Sequence, residues 1–216
     1  MMTAKEPFQF MAASYLIRIR QERAHTLAEL AACLRSVSDA SIFYHTFQSL
    51  EEHHYTSYSS EFAQWAVAAC NAYPLAERMA ALDVGEFVSI DDLRKELIQA
   101  VEEYIAQQPQ FRDLLAYEPF YFCEEVEFTL PLEMRASNLA ELSDGISRLS
   151  LQSLHHHFIN SRLRLHLKTN DFSNWIQKNY DMPVLAMRLN RLDFHTNTLD
   201  GLRDELISTI EPWTHQ

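Results

Sequence analysis

Histidine is the residue type in this sequence best suited to chemistry, because its imidazole titrates near neutral pH and is the commonest metal ligand. Two of the ten histidines, His45 and His157, share one local pattern, with a serine four residues before and four residues after each. Residues four apart lie on one face of a helix, so each histidine is expected in a polar row. The candidate ligand-binding residues are His45, His157, Tyr44, His156, Ser41 and Ser153.

Each of these two histidines has a functional and a structural interpretation. In the functional one it is an acid–base group or a metal ligand. In the structural one it is buried, and a serine or a backbone carbonyl supplies its hydrogen-bond partner and so keeps the helices in register. Neither histidine is accompanied by HExxH or another known ligand spacing. The structural interpretation is therefore favoured.

A divalent metal is the alternative ligand, and two histidine-rich stretches bear on it. His155, His156 and His157 are consecutive, but successive helical residues project about 100° apart, so three of them cannot converge on one ion from one helix. His53 and His54 follow two glutamates in a polar stretch that is typical of an exposed loop. We therefore predict no cofactor and no metal site. The alternative ligand set is His45, His157, His53, His54 and Asp171.

The pattern around the two histidines belongs to a longer repeat. Residues 23–50 and 135–162 are identical at ten of 28 positions without a gap. Unrelated segments would share about one residue in twenty. Weaker matches extend this similarity in both directions. The sequence therefore predicts a tandem duplication, with a first repeat at 7–105 and a second at 119–215, docked as one compact unit.

The sequence pattern of each repeat predicts one strand followed by about five helices. Apolar residues alternate, loosely in 8–20 and clearly in 126–132, which indicates strands. Thr26 and Asn138 are each followed by a glutamate three residues later, as in a capping box that begins a helix. We expect a mainly α fold with minor strand content, in which the two strands pair across a pseudo-twofold axis. Trp65 and Trp175, placed at helical spacing, are expected in the core.

Composition excludes several classes of function. The net charge of −12 argues against nucleic acid and against an anionic membrane surface. Only three glycines occur, which excludes the glycine-rich loops that cradle phosphates. The three cysteines are far apart, as expected of reduced thiols. The chain begins without a signal-peptide pattern and has no membrane-spanning apolar run, so we expect a cytoplasmic protein.

Five motifs follow one another along the chain: Pro7-Phe8-x-Phe10, Leu27-Ala28-Glu29-Leu30, Ser41-Ile42-Phe43-Tyr44-His45, Glu61-Phe62-x-x-Trp65 and Leu75-Ala76-Glu77-Arg78. This ordered set resembles a catalogued prokaryotic family of unknown function (domain of unknown function 5752), whose members look like single or doubled copies of this unit. The resemblance covers nearly the whole chain. It implies a soluble, largely helical bacterial or archaeal protein and supplies no activity, substrate or cofactor.

These features favour a non-enzymatic binding or regulatory module, with a small-molecule or protein ligand in the groove between the two repeats. The alternative function is a metal-dependent hydrolase or transferase that uses histidine and carboxylate ligands. The sequence leaves the oligomeric state open, with a homodimer as one option.

Overall fold

The computed structural model describes residues 3–48, 58, 60–165, 167–194 and 197–214. In these residues the fold is mainly helical with one two-stranded sheet, which confirms the predicted mainly helical α+β class. None of the helices in this part of the chain is both long enough and apolar enough to cross a membrane.

The order of elements is a long strand and a set of helices, followed by a second long strand and a second set of helices. The strands are β1 Phe8–Ala24 and β2 Phe120–Ala136. The helices are α1 Leu27–Ser36, α2 Asp39–Phe43, α3 Glu61–Ala68, α4 Tyr73–Ala80, α5 Ile90–Gln107, α6 Leu139–Arg148, α7 Leu151–His155, α8 Ser161–Arg164, α9 Asp171–Asn179, α10 Pro183–Asn190 and α11 Leu199–Ile210. Two π-helical turns, Tyr44–Gln48 and His156–Asn160, continue α2 and α7.

The two strands pair with each other, as predicted, and each is longer than the alternating pattern indicated. Gln9, near the start of β1, donates a hydrogen bond to the carbonyl of Leu132 near the end of β2. Arg20, near the end of β1, contacts Glu124 near the start of β2. The strands therefore run antiparallel. A two-stranded sheet leaves one backbone edge of each strand without a neighbouring strand, and those edges need other partners.

By contact density the described chain divides into two compact units. The first unit comprises residues 1–15 and 127–216, and the second comprises residues 16–126. Both boundaries fall inside the strands, so each strand contributes residues to both units. This division differs from the predicted repeats at 7–105 and 119–215, because those limits describe sequence similarity and the units describe contacts between residues.

The core of the second unit forms where α1 packs against α5 and α3 packs against α4. Thr26 caps α1 by accepting the backbone N–H of Glu29. The Glu29 carboxylate accepts the backbone N–H of His25 at 2.7 Å. A capping box would place that bond on the N–H of Thr26 itself, so the carboxylate reaches one residue further back than predicted.

The core of the first unit forms in the same manner from α6 against α11 and α9 against α10. Asn138 caps α6, and Glu141 accepts the backbone N–H of Ser137 at 2.6 Å. Gly145 of α6 lies directly against the ring of Phe10, which is fully buried. A side chain at position 145 would occupy the space of that ring.

Candidate functional site

The candidate site of the first unit is built on the π-helical turn His156–Asn160. This turn begins where α7 ends, and it places His156 and His157 side by side with ring centroids 4.7 Å apart. Both residues are buried, at 7% and 2% exposure. Single π-helical turns are rare and are frequent at functional sites.

His157 has both ring nitrogens engaged. The backbone N–H of Met11 in β1 donates to Nε2 at 2.9 Å, and Nδ1 lies 2.9 Å from a carboxylate oxygen of Asp171. Because Nε2 accepts a hydrogen bond, the ring hydrogen sits on Nδ1, and Nδ1–H donates to Asp171. Burial lowers the pKa of His157 in spite of the nearby carboxylate. The imidazole is therefore held neutral in one tautomer.

Asp171 is the first residue of α9 and is compensated by a cation as well as by His157. Arg164 donates to both carboxylate oxygens, at 3.2 and 3.1 Å. Burial by itself would raise the pKa of Asp171, but the hydrogen bonds from His157 and Arg164 outweigh it, and the pKa lies below its usual value. The carboxylate is ionised and already carries three hydrogen bonds.

His45 in the second unit makes the corresponding contacts. The backbone N–H of Cys123 in β2 donates to Nε2 at 2.8 Å, and Nδ1 contacts the carboxylate of Glu61. The residue is 1% exposed. The same reasoning places the hydrogen of His45 on Nδ1.

The prediction of a serine or a backbone carbonyl as the histidine partner is wrong. Each histidine instead accepts a strand N–H, because the outer edge of a two-stranded sheet presents N–H groups that need acceptors. The sequence pattern showed the polar row on the helix but gave no sign of the strand that lies beside it. The two tryptophans bind the residues just before the same strands, since Trp175 donates to the carbonyl of Glu6 and Trp65 to that of Glu118, both at 2.7 Å.

The remaining candidates of the second unit and of α7 lie in the interior. Ser41 donates to the carbonyl of Cys123 at 2.8 Å, and Ser153 contacts the hydroxyl of Ser150 at 2.9 Å. Tyr44 is 8% exposed and packs edge-on against His45. His53 and His54, together with Ser49, lie outside the described residues.

A cleft of about 490 Å³ opens in the first unit beside the two histidines. The start of β1, the middle of β2, the π-helical turn and α9 line it. Phe8 and Trp175 form part of its wall. Its polar side chains include His156, His157, Arg164, Asp171, Asn174 and Lys178.

His156 differs from His157 at Nε2, which accepts no backbone N–H in the described part of the chain, although Nδ1 of both rings faces a carboxylate. Its Nδ1 lies 2.8 Å from Oε1 of Glu127, which also accepts a hydrogen bond from Asn160 at 3.1 Å. Burial would raise the pKa of Glu127, but these hydrogen bonds outweigh it and keep the carboxylate ionised. Nε2 of His156 has no hydrogen-bond partner among the described residues and opens to the cleft.

The structure also brings together three groups that resemble a metal-binding set. One donor atom each of His156, His157 and Asp171 lies within 4.8 Å of the others. The sequence had suggested at most one ligand from the histidine run, whereas the π-helical turn brings two of the three rings together. However, Nε2 of His157 accepts a backbone N–H and Nδ1 carries a hydrogen, so a metal on either nitrogen would displace an existing hydrogen bond.

Sequence reasoning did not single out several polar residues of the cleft, among them Glu127, Arg164, Asn174 and Lys178. In β2, apolar residues alternate with other residues, and Glu127 is one of the residues between them. That position predicts a side chain that faces solvent. Asn174 and Lys178 are four residues apart on α9, and this spacing was the available signal for a shared polar face.

Residues 5–211 match a family of unknown function, DUF5752. The chain belongs to this family. It is also similar to the solved structure of OrfY from Thermoproteus tenax, with 28% identity, a TM-score of 0.84, and coverage of 99% of this chain and 98% of that one. Among curated proteins, none matches the chain. That relative shares the fold of this chain, and neither its description nor that of the family names an activity.

Proposed function

We propose that this DUF5752 protein is a non-enzymatic binding or regulatory module that holds a small polar ligand in the cleft of the first unit. The supporting observation is that two buried histidines are fully engaged in internal hydrogen bonds while the cleft beside one of them is lined by polar side chains. His45 and His157 have both ring nitrogens in internal hydrogen bonds. The cleft nevertheless presents several polar side chains to a molecule of modest size.

The engaged histidines argue against acid–base catalysis at these two positions. A general base must have a ring nitrogen within reach of the proton it abstracts. For His157 that would require breaking the hydrogen bond from Met11 and detaching β1 from the π-helical turn. Asp171 is equally unsuited, since Arg164 and His157 already occupy its oxygens.

The side chains offered to a ligand lie mainly on α9. Lys178 and Asn174 line the cleft, and within the described part of the chain neither side chain has a hydrogen bond or an ion pair. They are one helical turn apart and therefore project to the same side. A ligand that bridges an ammonium and an amide, with Trp175 beside it, fits this arrangement.

We also propose that the chain is a tandem duplication with pseudo-twofold symmetry, and that only one copy has become specialised for binding. Both strands have 17 residues, and both histidines follow the start of a π-helical turn. In the repeat alignment, His156 corresponds to Tyr44 and Lys178 to Ala68. The cleft takes Phe8 from the first repeat and α9 from the second, in keeping with a groove between repeats.

Binding of a metabolite library, followed by mass spectrometry after equilibrium dialysis, tests the proposal. Lys178→Ala is compared with Lys168→Ala, an exposed lysine of the same unit that does not line the cleft. Both variants remove one positive charge. Removal of a charged hydrogen-bond donor costs about 1.5–3 kcal/mol, so retention should fall roughly tenfold or more in Lys178→Ala alone. A compound retained equally by wild type and both variants would place the binding site elsewhere.

A metal-dependent hydrolase or transferase is the second candidate, and the proximity of His156, His157 and Asp171 is the observation that favours it. It ranks lower because a metal would have to displace the bonds that hold β1 and Arg164 in place. Elemental analysis of the purified chain separates the two functions. A stoichiometric transition metal, whose removal by a chelator abolishes a measured hydrolysis, would reverse the ranking.

A further inference from the structure

Of the two histidines described beside the cleft, His156 has one ring nitrogen held and the other open. Its Nδ1 faces Glu127 at 2.8 Å, and the side chains are 9% and 27% exposed, respectively. Asn160, from the same π-helical turn, donates to the same carboxylate oxygen at 3.1 Å. The Glu127 carboxylate, which Asn160 holds in place, therefore fixes the orientation of the His156 ring.

The position of the ring hydrogen follows from these contacts. An ionised carboxylate only accepts hydrogen bonds, so Nδ1 of His156 must donate to Glu127. In the neutral ring Nε2 then carries a lone pair. Nothing else in the described chain donates to that atom, and it faces the cleft.

We propose that Glu127 and His156 form a ligand-contacting dyad, in which Nε2 of His156 accepts a hydrogen bond from a hydroxyl or N–H group of a small uncharged molecule. This inference rests on the proposed binding function of the cleft and names the group that recognises the ligand. His157 is excluded from that role by its bond from Met11, although it is the histidine that recurs in both repeats.

The charges of the cleft indicate the class of ligand. Among the described residues, three carboxylates, those of Glu6, Glu127 and Asp171, and two cations, Arg164 and Lys178, line it. An anionic ligand would therefore meet an excess of negative charge. An uncharged molecule that carries both donors and acceptors matches the His156 lone pair on one side and the α9 side chains on the other.

Labelling with diethyl pyrocarbonate tests the dyad in the full wild-type chain. The unprotonated imidazole nitrogen attacks a carbonyl of the reagent and expels the ethyl carbonate anion. The acylated ring then loses the hydrogen of its other nitrogen and becomes a neutral N-ethoxycarbonyl imidazole, while ethyl carbonate takes up a proton and breaks down to ethanol and carbon dioxide. Peptide mass spectrometry reports the rate at each histidine. His156 should be labelled at least about tenfold faster than His45 and His157, whose Nε2 atoms are reached only after local opening.

Four probes added during labelling test the ligand class. Acetamide and glycerol are uncharged donors, and acetate and inorganic phosphate are anions. Acetamide or glycerol should slow the labelling of His156 but not that of His25, a partly exposed histidine of the second unit. In Glu127→Ala the protection should be lost, since Nε2 is no longer held as the acceptor. Lys168→Ala, outside the cleft, should keep it.

Three results would overturn the inference, and they are distinguishable. Equal labelling of His156 and His157 would show that the dyad does not present an open nitrogen. Protection by acetate or phosphate alone would refute the uncharged class while supporting binding in the cleft. Fast labelling of His156 that none of the four probes slows would refute the ligand-contacting role together with the proposed binding function.

Discussion

Replacing His157 by asparagine or by glutamine separates the functions of its two ring nitrogens. An asparagine amide nitrogen takes approximately the place of Nδ1 and retains the bond to Asp171, but it leaves the Met11 N–H without an acceptor. A glutamine oxygen reaches approximately to the place of Nε2 and retains the acceptor, while Asp171 keeps its bonds from Arg164. We expect asparagine to be the more destabilising substitution.

The magnitude follows from the burial of the site. An unsatisfied buried N–H costs about 1–3 kcal/mol, and lost ring volume adds about 1 kcal/mol to the asparagine variant. Glutamine loses one hydrogen bond to an ionised carboxylate that keeps its bonds from Arg164, which costs about 1.5 kcal/mol, the lower end for a bond to a charged group. The melting temperature shifts by about 2–4 °C per kcal/mol in chains of this size. His157→Asn should therefore melt several degrees below His157→Gln.

Urea unfolding followed by circular dichroism measures the stability of both variants, and hydrogen exchange reports the Met11 amide directly. That amide should be protected in wild type and in His157→Gln and should exchange faster in His157→Asn. The same pair of substitutions at His45, with Cys123 as the reporter, repeats the test in the second unit. An asparagine variant as stable as the glutamine variant, with unchanged exchange at Met11, would refute the strand-edge role of the histidine.

Three further predictions concern buried groups of the first unit. Burial lowers the pKa of His155 to about 4 in the folded chain, whereas in the unfolded chain the residue has its ordinary pKa of 6.5. As the pH falls from 7.5 to 5, the unfolded chain is therefore protonated at His155 while the folded chain is not, which should remove about 2 kcal/mol of stability. In urea titrations at the two pH values, His155→Phe should lose correspondingly less stability than the wild type. Gly145→Ala should lower the melting temperature by the equivalent of about 1–3 kcal/mol because of the fully buried Phe10 ring, whereas the same change in an open helix is stabilising. Trp175→Phe should cost about 1 kcal/mol in urea unfolding through the lost bond to the carbonyl of Glu6, and an unchanged midpoint would contradict that role.

The sequence predicted the helices well because their signals are local. Thr26 and Asn138 cap helices where the spacing of their glutamates indicated, and leucines at three- and four-residue steps lie on the buried faces. These signals depend on neighbours within one or two turns. Pairing of the two strands was also predictable, since a lone strand leaves its backbone groups without partners.

The two π-helical turns were beyond sequence reasoning. Apolar periodicity is read at 3.6 residues per turn, and one wider turn within a helix changes the direction of its side chains without leaving a clear mark on that pattern. Within this turn the ring centroids of His156 and His157 lie 4.7 Å apart, a proximity that the separation of about 100° between successive residues of a regular helix did not indicate.

The sequence by itself determined that His45 and His157 share one local pattern and that the chain lacks the glycine-rich sequence forms of phosphate-binding loops. Only the tertiary structure decided what each imidazole does. The N–H that Nε2 of His157 accepts lies 146 residues away, and that of His45 lies 78 residues away. Hydrogen-bond direction depends on which atoms meet in space, and residue type and spacing do not contain that information. For the same reason it is His156, held by Glu127, whose nitrogen opens to the cleft.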